Sequence, residues 1–197
     1  MILYGFGGHA VVAIDCLNDL GIPFTGFFDD YVAGTLPTYL GQYDPMVHPG
    51  QLLVVTVGNN KTRKTLTIRV TGHKFGQIVS PKACISPSAD LSCGIAIYQH
   101  SVIQAYSSIG RHVIVNTGAQ IDHDCRISDF VHVAPGAVLC GNVTLGEGVL
   151  VGAGAVLLPG IKVGAWATIG AGAVVTRDVP EGTTVVGNPA RPKKTLT

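Results

Sequence analysis

The chain has 197 residues, 47% hydrophobic and only 13% charged, with a formal net charge of +1 at pH 7. That balance argues against a nucleic-acid or anionic-membrane partner, and so sparse a polar cover predicts flanks hidden in an oligomer. Five cysteines without paired CxxC spacing argue against a disulfide frame or zinc finger, and the absence of a leader-like start or a membrane-length apolar run gives a cytoplasmic expectation.

Ile2-Leu3-Tyr4 reads as a short strand and Gly5-Phe6-Gly7-Gly8-His9 as a glycine turn. Val11, Val12, Ile14, Leu17 and Leu20 then recur at helical spacing, and Gly21 is placed to close the helix. Phe24 to Phe28 predicts a second strand ending in Asp29-Asp30, and Gln51 to Val57 a third ending in Gly58-Asn59-Asn60. Lys61 to Gly72 predicts a second helix, and Gln77-Ile78-Val79 a last strand before Pro81. This βαβ alternation predicts a small parallel, Rossmann-like sheet with helices over residues 1–80.

Gly5, Gly7 and Ala10 fit G-x-G-x-x-A between a strand and a helix, with Asp29 and Asp30 about twenty residues on. In such a turn the backbone N–H groups approach phosphate, and an acid at the next strand end binds a ribose hydroxyl or a base. A tight turn with no ligand is the bland alternative. Eighty residues supply only half of a dinucleotide domain, so a mononucleotide or nucleotide-sugar is expected in place of NAD. Asn59 and Arg63 follow on the same carboxyl edge of the sheet, where ligands collect. Arg63 reads as a phosphate or uracil-side contact, or else as a solvated helix arginine.

From Ile85 to Val175 an isoleucine, leucine or valine stands at every sixth residue, sixteen times without a miss. A helix repeats every 3.6 residues and a strand every 2, so neither gives a strict period of six. A coil of three short faces does, each face turning one large aliphatic side chain inward. The pattern predicts a parallel β-helix of about five coils within residues 81–197. Thr183 to Val186 should extend its end, and Gly187 to Lys194, with two prolines, should lie across the last coil.

Asn116 and the run Ile121-Asp122-His123-Asp124 interrupt this bland pattern, with His132 nine residues on. Histidine titrates near neutrality and suits general-base work, and Asp124 could hold its tautomer. A surface histidine is the alternative. A metal site needs three or four converging ligands, whereas His123 and His132 lie half a coil apart and could meet only across a subunit boundary. No metal is expected. Cys125 and Cys140 read as core packing.

With these motifs the chain resembles the left-handed β-helix acyltransferases. More closely, it is similar to the sialic-acid O-acetyltransferase-like enzymes that modify nucleotide-linked amino sugars in bacterial glycan pathways. The resemblance spans the Gly-Phe-Gly-Gly-His-Ala opening, Asp29-Asp30, the solenoid, Asn-x-Gly before Ile-Asp-His-Asp, and Gly-Asn-Pro-Ala-Arg-Pro near the end. It implies a homotrimer with acetyl-CoA as co-substrate in the groove between adjacent solenoids, and no metal. It implies His123 as general base supported by Asp124, and His132 near the acyl group and thioester. The Gly141 N–H would meet the acetyl carbonyl, with Ala153, Gly170, Ala171 and Arg191 along the coenzyme. Gly5, Gly7, Gly8, His9, Asp29, Asp30, Asn59, Arg63 and Asn116 would serve the nucleotide-sugar. Asn59-Asn60 departs from the Gly-Asp-Asn often seen in the family. Lys193 and Lys194 join Arg191 as weaker candidates for the coenzyme phosphates. The implied reaction is direct N-acetylation of a UDP-linked 4-amino-4,6-dideoxy sugar. An O-acetyltransferase acting on sialic acid or another sugar hydroxyl, and a non-catalytic trimeric scaffold, are the rival readings.

Overall fold

A computed structural model of the chain describes residues 1–31 and 38–193. Three short strands, β1 (Ile2–Tyr4), β2 (Gly26–Phe28) and β3 (Leu53–Val55), form a parallel sheet in the order β2-β1-β3. Helix α1 (Gly8–Asp19) connects β1 to β2, and α2 (Asn60–Arg69) follows β3. Side chains along β1 alternate as the pleat requires. Leu3 packs with Ala10, Ala13 and Leu17 of α1, while Ile2 and Tyr4 pack on the opposite side with Leu53, Val55 and Leu66. Gly21 ends α1 in the left-handed region at φ 65°, and its N–H donates to Asn18 O, as the sequence predicts.

The strand expected to complete this sheet belongs elsewhere. Ile78–Val79 pairs in parallel with Ala96–Ile97 and opens the solenoid. Val79 lies six residues before Ile85, so it extends the inward series by one step and packs on the solenoid core. Ile78 turns outward and joins the cluster containing Leu3 and Ala10.

From there, two-residue strands recur every six residues to Val174–Val175, building the three parallel faces of a left-handed β-helix of about six turns. The first face runs from Ile78–Val79 through Ile114–Val115, His132–Val133 and Leu150–Val151 to Thr184–Val186. The second runs from Cys84–Ile85 to Val174–Val175, and the third from Asp90–Leu91 to Lys162–Val163. Successive coils pair at eighteen residues, with Gln120 between Val102 and Val138. The inward residues, among them Ile97, Val115, Ile121, Val133, Leu139 and Leu145, are fully buried. Each is worth about 1.5–3 kcal/mol on burial, and a slip of one residue would turn polar neighbours inward, which fixes the register.

The N-terminal domain rests on the first face through Leu3, Ala10, Ala96, Tyr98 and Ile114. Asn60 adds a polar tie, its Nδ2 donating to Gly148 O at 3.0 Å and Val149 O at 3.1 Å. Where the third face turns into the first, Gly94, His112, Phe130, Gly148 and Trp166 stack one per coil, all at positive φ. His112 stacks on Phe130 at 5.2 Å and meets Phe75 edge-on. At the far end Arg191–Pro192 folds back antiparallel onto Thr184–Val186, with Arg191 opposite Val186. Ala190 N–H donates to Val174 O, so the tail lies across the last coil as expected. Lys194 lies outside the described residues.

Candidate active site

In a parallel sheet of order β2-β1-β3 the order of strand addition switches sides between β1 and β3, and their carboxyl ends flank a crevice suited to ligands. Gly5 lies at φ 96° there, and a Cβ on it would come within 2.4 Å of Val57 Cγ2, so only glycine lets the two strand ends approach. Gly7 caps α1 without a side chain, and both Gly7 and Gly8 are exposed with open space beyond Cα. Asp29 accepts from Phe6 N–H at 2.7 Å and Tyr31 N–H at 2.8 Å, so its carboxylate pins the glycine turn. Asp30 accepts from Tyr4 Oη at 3.2 Å and pairs with Arg69. Burial and this carboxylate push the Tyr4 phenol up to about 12. Tyr4, Gly5, Asp29, Asp30 and Arg69 line a cavity of about 430 Å³ together with Lys61, Thr62, Thr65 and Leu66, whereas Gly7 and Gly8 are not among its lining residues. Asn59 lies at the edge of an adjoining cavity, and its Oδ1 caps α2 by accepting from Thr62 N–H at 3.0 Å.

Arg63 corrects the sequence reading on both of its alternatives. It is neither a ligand contact nor a solvated arginine, because it is fully buried between the N-terminal domain and the solenoid. Its Nε donates to His112 O at 2.8 Å, Nη1 to Val57 O at 2.9 Å, and Nη2 to Phe130 O at 2.7 Å and Asn60 Oδ1 at 2.8 Å. Longer contacts reach Gly58 O and Val131 O, both at 3.3 Å. Burial lowers its pKa to about 10, which leaves it charged at neutral pH. With both terminal nitrogens and Nε occupied, the guanidinium has nothing to offer a phosphate.

Beside it the structure gathers three predicted residues that are far apart in sequence. His9, against which a Cβ on Gly58 would clash at 2.6 Å, sits edge-on to His132 with ring centroids 5.2 Å apart. Asn116 Nδ2 lies 3.2 Å from His132 Nε2, and His132 Nδ1 lies 3.3 Å from Gly58 O. An amide donor on one nitrogen and a carbonyl on the other select the neutral Nδ1–H tautomer. Burial first, then His9 and Arg63, lowers the His132 pKa to about 4. Burial likewise lowers that of His9.

His123 projects from a different corner, between the second and third faces. Asp122 Oδ1 accepts from His123 N–H at 2.8 Å, and Asp124 turns the chain at φ 59°. His123 Nδ1 and Asp124 Oδ2 are 2.8 Å apart on an exposed edge. That hydrogen bond, followed by the charge of Asp122, raises the His123 pKa. The opposite edge of the ring lies over Gly141, where a Cβ would stand 2.6 Å from both Cε1 and Nε2. The His123 ring and the Gly141 backbone are thus closely apposed, with no room for a side chain between them. Ala153 and Ala171 occupy successive coils on the corner between the first and second faces, joined by Gly172 N–H to Ala153 O at 2.8 Å. Gly170 lies against Val186, whose strand partner is the exposed Arg191. Among the described residues, no three His, Cys, Asp or Glu side chains are placed to hold a metal ion.

Two family models match the sequence, the PglD N-terminal domain over residues 1–70 and the bacterial transferase hexapeptide (six repeats) over residues 142–177. A variant of GDP-perosamine N-acetyltransferase from Caulobacter crescentus, solved with CoA and GDP-perosamine, is 35% identical with a TM-score of 0.93. The match covers 98% of this chain and 96% of that one. The chain belongs to the hexapeptide-repeat sugar N-acetyltransferases. The acetyltransferase domain of PglB from Neisseria gonorrhoeae, solved with acetyl coenzyme A, is 37% identical with a TM-score of 0.89, covering 98% of each chain. A curated relative, protein L142 of Acanthamoeba polyphaga mimivirus, is 33% identical over 115 residues, and the match spans 23% of its length.

For a sugar N-acetyltransferase of this family, the sequence reading left out one wall of the cavity of about 430 Å³. Lys61, Thr65 and Arg69 line it from α2 at spacings of four residues, which places them on one helix face. That periodicity was the available signal, once Gly58-Asn59 had marked where the helix begins.

Proposed function

We propose that this protein transfers the acetyl group of acetyl-CoA to the amine of a nucleotide-linked 4-amino-4,6-dideoxy sugar. The observation that carries the reading is the His123–Asp124 pair, 2.8 Å apart, with its free ring edge over Gly141. In this mechanism His123 Nε2 removes a proton from the sugar amine as it attacks the thioester carbonyl. Asp124 keeps the proton of Nδ1 in place and stabilises the imidazolium. The Gly141 N–H donates to the oxyanion, a contact that elsewhere is worth roughly 3 kcal/mol. Thiolate leaves, and no acyl-enzyme forms.

The acceptor nucleotide fits the crevice at Gly5, Gly7, Gly8, Asp29 and Asp30, with His9, Asn59 and Asn116 toward the sugar. UDP and GDP are the carriers to test first, GDP because the Caulobacter enzyme is solved with GDP-perosamine. His132, Ala153, Gly170, Ala171 and Arg191 are assigned to the coenzyme side. The crevice abuts the first face, while His123 leaves the corner between the second and third. One chain therefore holds base and acceptor apart, and a neighbouring copy closes the distance, which supports the homotrimer. The proposal includes a cytoplasmic location and the two-domain division at residue 80, with the Ile78 strand serving the solenoid.

The test is thiol release from acetyl-CoA with UDP-, GDP- and dTDP-linked 4-amino sugars and with free sialic acid. Turnover on an amino sugar that is abolished in His123→Ala is the expected result. Activity on sialic acid alone would transfer the assignment to O-acetylation, and absence of acetyl-CoA binding would leave a scaffold.

A further inference from the structure

Three cavities meet at one side chain. Lys61, exposed near the start of α2, lines the nucleotide cavity of about 430 Å³. It also lines a cavity of about 320 Å³ bounded by Gly58, Asn59 and Leu150, and one of about 410 Å³ against Trp166. The other cations in this region are engaged. Arg69 pairs with Asp30 and Lys64 with Glu147, while Arg63 is buried against backbone carbonyls. Lys61 makes no ion pair among the described residues.

The charge balance gives this position its meaning. The walls of the nucleotide cavity carry two carboxylates, Asp29 and Asp30, and two cations, Arg69 and Lys61. Both carboxylates already hold the turn and Tyr4 in place, so neither can be dispensed with. Without Lys61 the cavity carries one net negative charge and repels a diphosphate. We infer that Lys61 is the residue that recognises the diphosphate of the nucleotide-linked acceptor and selects it over a nucleoside or an unlinked amino sugar. Its flexible stem lets the ammonium serve oxygens at the junction of the cavities, as a compact point charge does. Lys61 contacts the acceptor away from the reacting amine, so it acts on binding and not on the chemical step.

This inference rests on the nucleotide-sugar reading, and one calorimetric series separates the two. Binding of UDP, GDP, uridine and guanosine is measured with the full-length protein, Lys61→Gln and Lys61→Arg. Lys61→Gln should weaken diphosphate binding about tenfold, the scale of one charge-assisted contact, and leave nucleosides unchanged. Lys61→Arg should restore most of the affinity. In turnover the glutamine variant should show KM raised about tenfold with kcat within about twofold, the signature of uniform binding lost. Equal losses for nucleosides and diphosphates, or no loss for either, would overturn the role of Lys61 alone. Failure of the wild-type protein to bind any nucleoside diphosphate would overturn both readings.

Discussion

Replacing Arg63 by methionine tests what holds the N-terminal domain on the solenoid. Among the described residues, the carbonyls of His112, Phe130 and Val57 receive no hydrogen bond other than from Arg63. Each buried acceptor left alone costs about 1–3 kcal/mol. Removing the buried charge returns part of its desolvation cost, and a net loss of about 3 kcal/mol follows. For a chain of this size that corresponds to about 6–12 °C in melting temperature. The assay is built in, because Trp166 is the single tryptophan and lies 5.4 Å from Lys64 Nζ on α2. Its emission should report undocking of the domain while far-ultraviolet circular dichroism follows the whole fold. At fixed protein concentration, the fluorescence transition of Arg63→Met should fall by that amount and precede the loss of strand signal. A variant melting within about 2 °C of wild type by both probes would refute the claim that these bonds join the two domains.

His123→Ala should lower kcat by about 10²–10⁴, the range for a lost general base, with coenzyme A affinity by calorimetry unchanged. Asp124 raises the His123 pKa, so the acidic limb of kcat/KM should be displaced upward from the ordinary histidine value; Asp124→Asn should move it to lower pH in a pH–rate profile. Gly141→Ala places a methyl 2.6 Å from His123 Nε2, and the displaced base should cost about 10²-fold in kcat while melting changes little. His112 and His132 both have pKa values lowered to about 4 by burial. The unfolded chain therefore takes up protons first as pH falls, and stability present above about 6.5 is lost down to about 4. Each histidine should contribute on the order of 3 kcal/mol to that loss, and His112→Asn should flatten the pH dependence of the urea midpoint.

The solenoid was legible because its physics is local and repetitive, one large aliphatic per face at a fixed period. The same rule, applied one step further back, already contained Val79, yet the βαβ pattern claimed that strand for the neighbouring sheet. The His123-Asp124 pair could be read because adjacent residues on a tight corner have little choice but to meet. Arg63 could not. Its acceptors lie on Val57, His112 and Phe130, and nothing in the composition of a helix announces that its arginine will face a second domain. His9, Asn116 and His132 were each singled out, but their convergence is a product of docking, not of spacing. Lys61 and Arg69 went unread because their value depends on which face of α2 borders the crevice.

The folded-back tail has a consequence for how these molecules coexist at high concentration. A stack of parallel coils ends in open rows of N–H and C=O groups, and an identical stack could in principle continue it into a fibre. Arg191–Pro192 runs against the grain of the first face, and its proline offers no N–H to a newcomer. Gly187 and Ala190 occupy the edge of Val174 on the second face. At the opposite end α1 packs beside the opening Ile78–Val79 strand. The last coil is thus covered on its first and second faces, so an identical stack cannot extend those two sheets from the tail end.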